Sequence, residues 1–144
     1  MRKHKGFTLI ELVVVVMIIG ILAAVAAPKL LGTSSTAADN GLKETLGVIR
    51  DAIERYTAEH GGTLPGGAGT EAALKADLAT YIRVFPKCPI GVANNQVKIV
   101  TAAGPMTGDA APTKSWAYNS ADGGFICNSS ALTKSDATVT YDSL

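Results

Sequence analysis

From Leu9 to Ala27 every position is apolar or glycine except Glu11, and Lys29 closes the run just past Pro28. A helix rises about 1.5 Å per residue, so this run matches the ~30 Å hydrocarbon thickness of a bilayer. Arg2, Lys3, His4 and Lys5 precede it. By the positive-inside rule these residues hold the N-terminus in the cytoplasm and send the remainder outward. Beyond Pro28 the pattern turns amphipathic. Leu42, Leu46, Ile49, Ile53 and Tyr56 recur at alternating spacings of four and three, the stripe of one helical face. Lys43, Glu44, Arg50, Asp51, Glu54, Arg55 and Glu59 fall off that stripe, and Asp51 and Arg55 are spaced for an i,i+4 pair. Gly32, Gly41, Gly47 and the run Thr33-Ser34-Ser35-Thr36 weaken the helix over 28–41, and Pro28 predicts a bend. The stop is at His60-Gly61-Gly62, with Pro65 after it.

The second half alternates turn residues with short apolar segments. Thr70 predicts a cap for a short helix with Leu74 and Leu78 on its apolar side. Phe85-Pro86-Lys87-Cys88-Pro89 reads as stiff and extended. Val97–Thr101 reads as a strand, and Ala102–Pro112 as a loop rich in glycine and proline. Lys114–Asn119 and Phe125–Asn128 flank an Asp122-Gly123 turn and read as a hairpin, with Trp116 and Tyr118 on one face. Thr138–Tyr141 reads as a last strand.

The expected class is therefore α+β. A long N-terminal helix, transmembrane in its first half and amphipathic in its second, is packed by a small antiparallel sheet. Little else in the chain can bury the Leu42–Tyr56 stripe. The expected divisions are 1–6, a leader; 7–28, the spanning helix; 29–60, its amphipathic continuation; and 61–144, a globular part with the short helix and the sheet.

Charge narrows the function. The 144-residue chain has a formal net charge of +1, so bulk charge gives no reason to expect nucleic-acid binding. Glu11 is the anomaly, because an acid in a spanning helix costs roughly 2.5–3.5 kcal/mol on insertion scales. Either it lies at the cytoplasmic edge and reaches water, or a second chain supplies a cation at the same depth. The rival for the N-terminus is an ordinary secretory signal with small residues at Ala24-Val25-Ala26. That reading makes the chain a non-polymerising single-pass or secreted binding protein. The apolar run exceeds the usual ~7–15 residues of a signal core, and Glu11 interrupts its start.

The basic leader ending in Gly6, then Phe7-Thr8-Leu9-Ile10-Glu11, then the apolar Leu12–Ala27, resembles the type IV pilin and type II secretion pseudopilin family. The resemblance implies a pilin-like fold and a structural subunit. It implies cleavage between Gly6 and Phe7 by a prepilin peptidase, methylation of the new Phe7 amine, and pairing of Glu11 with the Phe7 amine of a neighbouring subunit. Gly20 and Pro28 fall where the family places helix-weakening residues. The implied setting is the inner membrane, crossed once, with the C-terminal part periplasmic. From there an inner-membrane assembly platform draws the chain into a homo-oligomeric helical filament, periplasmic or on the cell surface. Pilus and secretion pseudopilus stay open at this point.

Other chemistry is sparse. Cys88 and Cys127 both lie on the exported side of the span, where an even count favours a disulfide over two separately buried thiols. Two distant cysteines and His60 form no ligand cluster, so no metal is expected. Asp109, Asp122, Asp136 and Asp142 read as turn acids, without a distinctive counterpart of the calcium loop that major pseudopilins carry. No catalytic motif is visible, and no enzyme or cofactor is expected. Gly66-Gly67-Ala68-Gly69 lacks the Gly-Lys-Ser/Thr of a phosphate loop, and Asn128-Ser129-Ser130 is a glycosylation sequon.

Overall fold

The computed structural model describes residues 6–144, apart from the side chains of Pro28 and of residues 30–35. The leader cations Arg2, Lys3, His4 and Lys5 lie outside the described residues. The chain forms α1 (Leu9–Glu59), α2 (Glu71–Leu78), β1 (Val97–Val100), β2 (Trp116–Asn119), β3 (Phe125–Cys127) and a final 3₁₀ turn at Tyr141–Ser143. It divides into two compact units, Met1–Ser35 and Thr36–Leu144.

In the first unit the residues of Leu9–Ala27 are helical, with mean hydropathy 3.0 and none of them buried. Every apolar side chain there faces outward, as it does on a helix that meets lipid or other helices rather than its own core. Residues 28–41 are assigned as helix throughout, although they carry Pro28, Gly32 and Gly41. One proline removes one backbone donor, and helix on both sides can absorb that loss.

The second unit is built on the expected stripe. Leu42, Leu46, Ile49 and Ile53 are buried, joined by Ala52, and Tyr56 packs at the margin. They share one core with Leu74 and Leu78 of α2 and with Val97, Trp116, Tyr118, Phe125 and Cys127 of the sheet. Asp51 and Arg55 do not pair, since the salt bridges among the described residues join Lys75 and Lys114 to Glu71 and Lys98 to Asp109. At the helix end Gly61 and Gly62 take positive φ (63° and 92°), and the Gly62 N–H returns to the Thr57 carbonyl at 2.8 Å. That is a glycine-closed C-terminus. Thr70 caps α2 through the Ala73 N–H at 3.2 Å, as its position predicts.

The sheet is mixed rather than wholly antiparallel. β2 and β3 form the expected hairpin, with Trp116 opposite Cys127 and Tyr118 opposite Phe125. β1 runs parallel to β2, with Val97 beside Trp116 and Val100 beside Asn119. Parallel neighbours need a long crossover. Residues 101–115 supply it, and they return across the sheet face opposite the core. There Asn119 donates from its amide to the carbonyls of Ala102 (3.0 Å) and Gly104 (3.4 Å). This is why all four residues of β2 are buried, including Ala117 and Asn119 on the outer face. The expected strand at Thr138–Tyr141 does not form. It is reduced to one bridge, Leu132 with Thr140, before the 3₁₀ turn.

Polar anchors fasten this unit to α1. Asp39, 1 % exposed, accepts hydrogen bonds from the Ser135 N–H (2.7 Å) and the Tyr141 hydroxyl (2.9 Å). Arg50 donates to the carbonyls of Phe125 (3.0 Å) and Leu144 (2.8 Å). Neither contact follows from the hydrophobic pattern, because both partners lie far along the chain.

Candidate functional site: the start of the long helix

Three of the residues singled out by sequence sit together where α1 begins. Gly6 and Phe7 precede the helix outside any regular element, Phe7 is 84 % exposed, and Glu11 lies in the first turn. Thr8 joins them. Its carbonyl receives the first helical bond, from the Leu12 N–H at 3.3 Å, so Thr8 is the N-cap and Glu11 the third helical residue. The Thr8 hydroxyl accepts from the Glu11 N–H at 3.3 Å. In return, Glu11 Oε2 accepts from the Thr8 N–H at 2.8 Å and from the Thr8 hydroxyl at 2.9 Å.

This is a reciprocal capping box. Sequence reasoning passed over Thr8, although Thr-x-x-Glu before an apolar run is the signal for it. The consequence for Glu11 is direct. Its carboxylate is not bare in the isolated chain, because it satisfies donors that the first turn leaves open and sits at the positive end of the helix dipole. Both of these bonds fall on Oε2, and no hydrogen bond falls on Oε1 among the described residues. Beside the carboxylate, Phe7, Ile10, Val14 and Val15 line a shallow, wholly apolar groove.

Gly20 lies nine residues further along, with open space where a Cβ would stand, and Pro28 lies further still within α1. Neither approaches the Thr8–Glu11 box in sequence or along the helix axis. Cys88 and Cys127 belong to the other unit, where both are buried free thiols of one core cluster, near enough for each to perturb the other. That proximity holds the Cys88 thiol below its ordinary range and pushes the Cys127 thiol up, with burial adding to the rise.

Other candidates resolve into structural roles. Asn128 of the sequon is 1 % exposed, and its amide donates to Asp109 and to the Lys114 carbonyl, so a glycan has no access in the folded chain. Asp109 pairs with Lys98, Asp142 receives the Gly108 N–H, and Asp122 receives the Gly124 N–H. No group of three or more metal-ligating side chains occurs among the described residues.

Residues 1–27 match the family model described as the prokaryotic N-terminal methylation motif. Relatives extend the likeness past the helix. The chain is 32% identical over 100 residues to the type II secretion system core protein G of Vibrio cholerae, covering 63% of this chain and 68% of that protein. It is 32% identical over 91 residues to a ComG operon protein 3 homolog of Bacillus licheniformis, covering 63% of this chain and 88% of that protein.

The chain belongs to the type IV pilin and pseudopilin family. A further relative is the prepilin peptidase-dependent protein D of Escherichia coli, 43% identical over 70 residues, 47% of this chain and 48% of that protein. No solved structure matches the chain. As a pilin-type structural subunit, the protein needs a surface through which copies join. The exposed apolar helix with a capped acid at its head has the chemistry of such a surface.

Proposed function

We propose that the chain is cut between Gly6 and Phe7 by a prepilin peptidase and methylated on the Phe7 amine. It then polymerises by bringing that amine to Glu11 of a neighbouring copy. The observation that carries this reading is the capping box. Thr8 fixes one oxygen of the Glu11 carboxylate and leaves the other open, at the head of a helix with no buried side chain from Leu9 to Ala27. A charge in hydrocarbon calls for a counter-charge at the same depth. The new amine created one residue before Thr8 is such a charge. A buried pair contributes register and direction more surely than net stability, which is what an open-ended, head-to-tail filament requires.

Before assembly the protein waits in the inner membrane as a single-pass chain with the C-terminal unit in the periplasm. Passage of the helix from lipid into a filament core exchanges one apolar surrounding for another, so an assembly platform can move it without a prohibitive hydrophobic penalty. The likeness to the prepilin peptidase-dependent protein D of Escherichia coli supports dependence on a prepilin peptidase. Within the family, a subunit of the type II secretion or ComG kind is favoured. The likeness to those relatives runs over 100 and 91 residues and reaches the globular part, whereas the likeness to protein D covers 70. The role is structural, with no catalysis by this chain.

Mass analysis of the mature protein tests the reading. A chain beginning at N-methylated Phe7 supports it. An intact Met1, or a start at Ala27 or Pro28, rejects it in favour of an anchored or secreted binding protein.

A further inference from the structure

The second unit has two ends, and α1 marks both. At one end Asp39 holds the segment 131–141 through the Ser135 N–H and the Tyr141 hydroxyl, and that hydroxyl also receives the Lys134 N–H at 3.3 Å. At the other end Ala58 lies beside Leu64 and the hairpin turn, where a Cβ on Gly123 would stand 2.7 Å from Leu64 Cδ2. The stretch of α1 from Asp39 to Ala58 is about 28 Å long at 1.5 Å per residue.

The two ends present opposite things. At the Asp39 end Leu132 is 53 % exposed, with Lys134 exposed two residues on and Lys43 exposed on α1. The acid of this end, Asp136, is turned onto the Thr138 N–H (2.9 Å) and hydroxyl (2.6 Å) and has Lys43 as a neighbouring cation. Lys134 forms no ion pair among the described residues. At the Ala58 end Ile53, Ala58, Leu64 and Gly123 line a groove of about 460 Å³, and the charged residues beside it are the acids Glu54 and Asp122. Asp122 is occupied by the Asn119 amide and the Gly124 N–H, whereas Glu54 forms no ion pair among the described residues. One end is therefore an apolar knob beside a free cation. The other is an apolar hole beside a free acid.

We propose that Leu132 of one copy seats in this groove of a second copy, with Lys134 against Glu54. The occupant is a second copy because the knob and the hole match in polarity and charge and stand at opposite ends of one unit. Each copy then keeps one knob and one hole free after joining, which makes the contact head-to-tail and open-ended. The other large apolar side chains exposed in this unit are Val48, Val84 and Val92, and Leu132 is the one on the segment that Asp39 holds. Leu132 supplies buried apolar contact, and the Lys134–Glu54 pair at its margin sets which surfaces meet. The proposal rests on the filament reading and adds to the N-terminal helix a contact between the C-terminal units.

The test is cross-linking of the full chain in the assembled state. Leu132→Cys and Ala58→Cys are made separately and together, and treated with a short bismaleimide. The native sulfurs of Cys88 and Cys127 are 2 % exposed, and the wild type checks that they stay silent. The double variant is expected to give a ladder of dimer, trimer and higher species, because every chain carries both surfaces. Each single variant is expected to stay monomeric. A double variant that stays monomeric while electron microscopy shows filaments overturns the docking and leaves the filament reading standing. Dimers from a single variant mean that like surfaces meet, and they overturn it too. No filaments from a wild-type chain that begins at Phe7 reject the filament reading and the docking with it.

Charge reversal reads the margin. Lys134→Glu and Glu54→Lys are each expected to lower filament counts on the order of tenfold, since each sets like charges side by side. Both positions are exposed, so the melting temperature is expected to stay at the wild-type value. The two reversals in one chain restore an opposite pair, and counts within about twofold of wild type are expected. A double reversal no better than the worse single variant overturns the Lys134–Glu54 contact.

Discussion

The hydroxyl of Tyr141 donates to the carboxylate of Asp39 at 2.9 Å, across 102 positions of sequence. With the Ser135 N–H on the other oxygen, this contact ties the last residues of the chain to α1. Burial acts to raise the Asp39 carboxyl, and the hydrogen bonds from Ser135, Tyr141 and the Lys134 N–H outweigh it, so the group titrates below its ordinary value of 3.8. A lowered carboxyl contributes stability that is present above the unfolded value and lost as pH falls through the folded one. Unfolding in urea at pH 7 and at pH 3 is expected to show a lower midpoint in acid. Asp39→Asn is expected to cost about 1–3 kcal/mol at pH 7 and to flatten the acid dependence.

Tyr118 occupies the centre of β2, fully buried, and donates to the Pro65 carbonyl at 2.8 Å. Burial, with Asp122 and Asp77 nearby, pushes its hydroxyl up to about 12. Tyr118→Phe keeps the ring and leaves the Pro65 carbonyl unpaired in the core. The expected loss is about 1–3 kcal/mol by chemical denaturation, with the melting temperature reduced and the secondary structure unchanged.

Gly108 lies in the crossover against the backbone of Ser129. A Cβ there would stand 2.5 Å from both the nitrogen and the carbonyl carbon of that residue. Backbone cannot step aside as a side-chain tip can. Gly108→Ala is therefore expected to destabilise the C-terminal unit by about 1–3 kcal/mol, the usual cost of overpacking. Gly47→Ala serves as the control, because its Cβ meets nothing within 4 Å. It is expected to be neutral or slightly stabilising.

Glu11 is tied to its own helix through Thr8, and the proposed pairing gives it a second role, so the two need separating. Glu11→Gln keeps an acceptor for the Thr8 N–H while removing the charge. Thr8→Val keeps the charge while removing the hydroxyl. If inter-subunit pairing is what matters, Glu11→Gln abolishes filaments as fully as Glu11→Val, with membrane insertion intact. Thr8→Val is then expected to loosen only the first turn, by about 1 kcal/mol. Filaments counted by electron microscopy, beside membrane fractions, read both. Normal filaments from Glu11→Gln would remove the charge-pairing argument.

Much of this was visible along the chain. The spanning run, the Leu42–Tyr56 stripe, the glycine stop, the Thr70 cap and the Asp122-Gly123 hairpin each depend on residues within a few positions of one another. Helical period, φ preference and local hydrogen bonding act at that range. The capping box at Thr8 was equally local and equally legible. The strand expected at Thr138–Tyr141 had the right residues. It nevertheless became a single bridge and a 3₁₀ turn, because Asp39 and Arg50 reach from α1 and hold that segment instead.

The sequence by itself determined which stretches are helix, which face of α1 is apolar, and that an acid stands at the head of a membrane-length segment. Tertiary structure alone decided that β1 runs parallel to β2, that the crossover buries the outer face of the sheet, and that Cys88 meets Cys127. Strand direction depends on where a fifteen-residue connection passes, and no residue near β1 encodes that path. Cys88 and Cys127, 39 positions apart, share one core cluster because the segment between α2 and β1 packs on the sheet, where the Trp116 indole donates to the Pro86 carbonyl. Such contacts are set by the summed packing of distant segments, which local patterns do not carry.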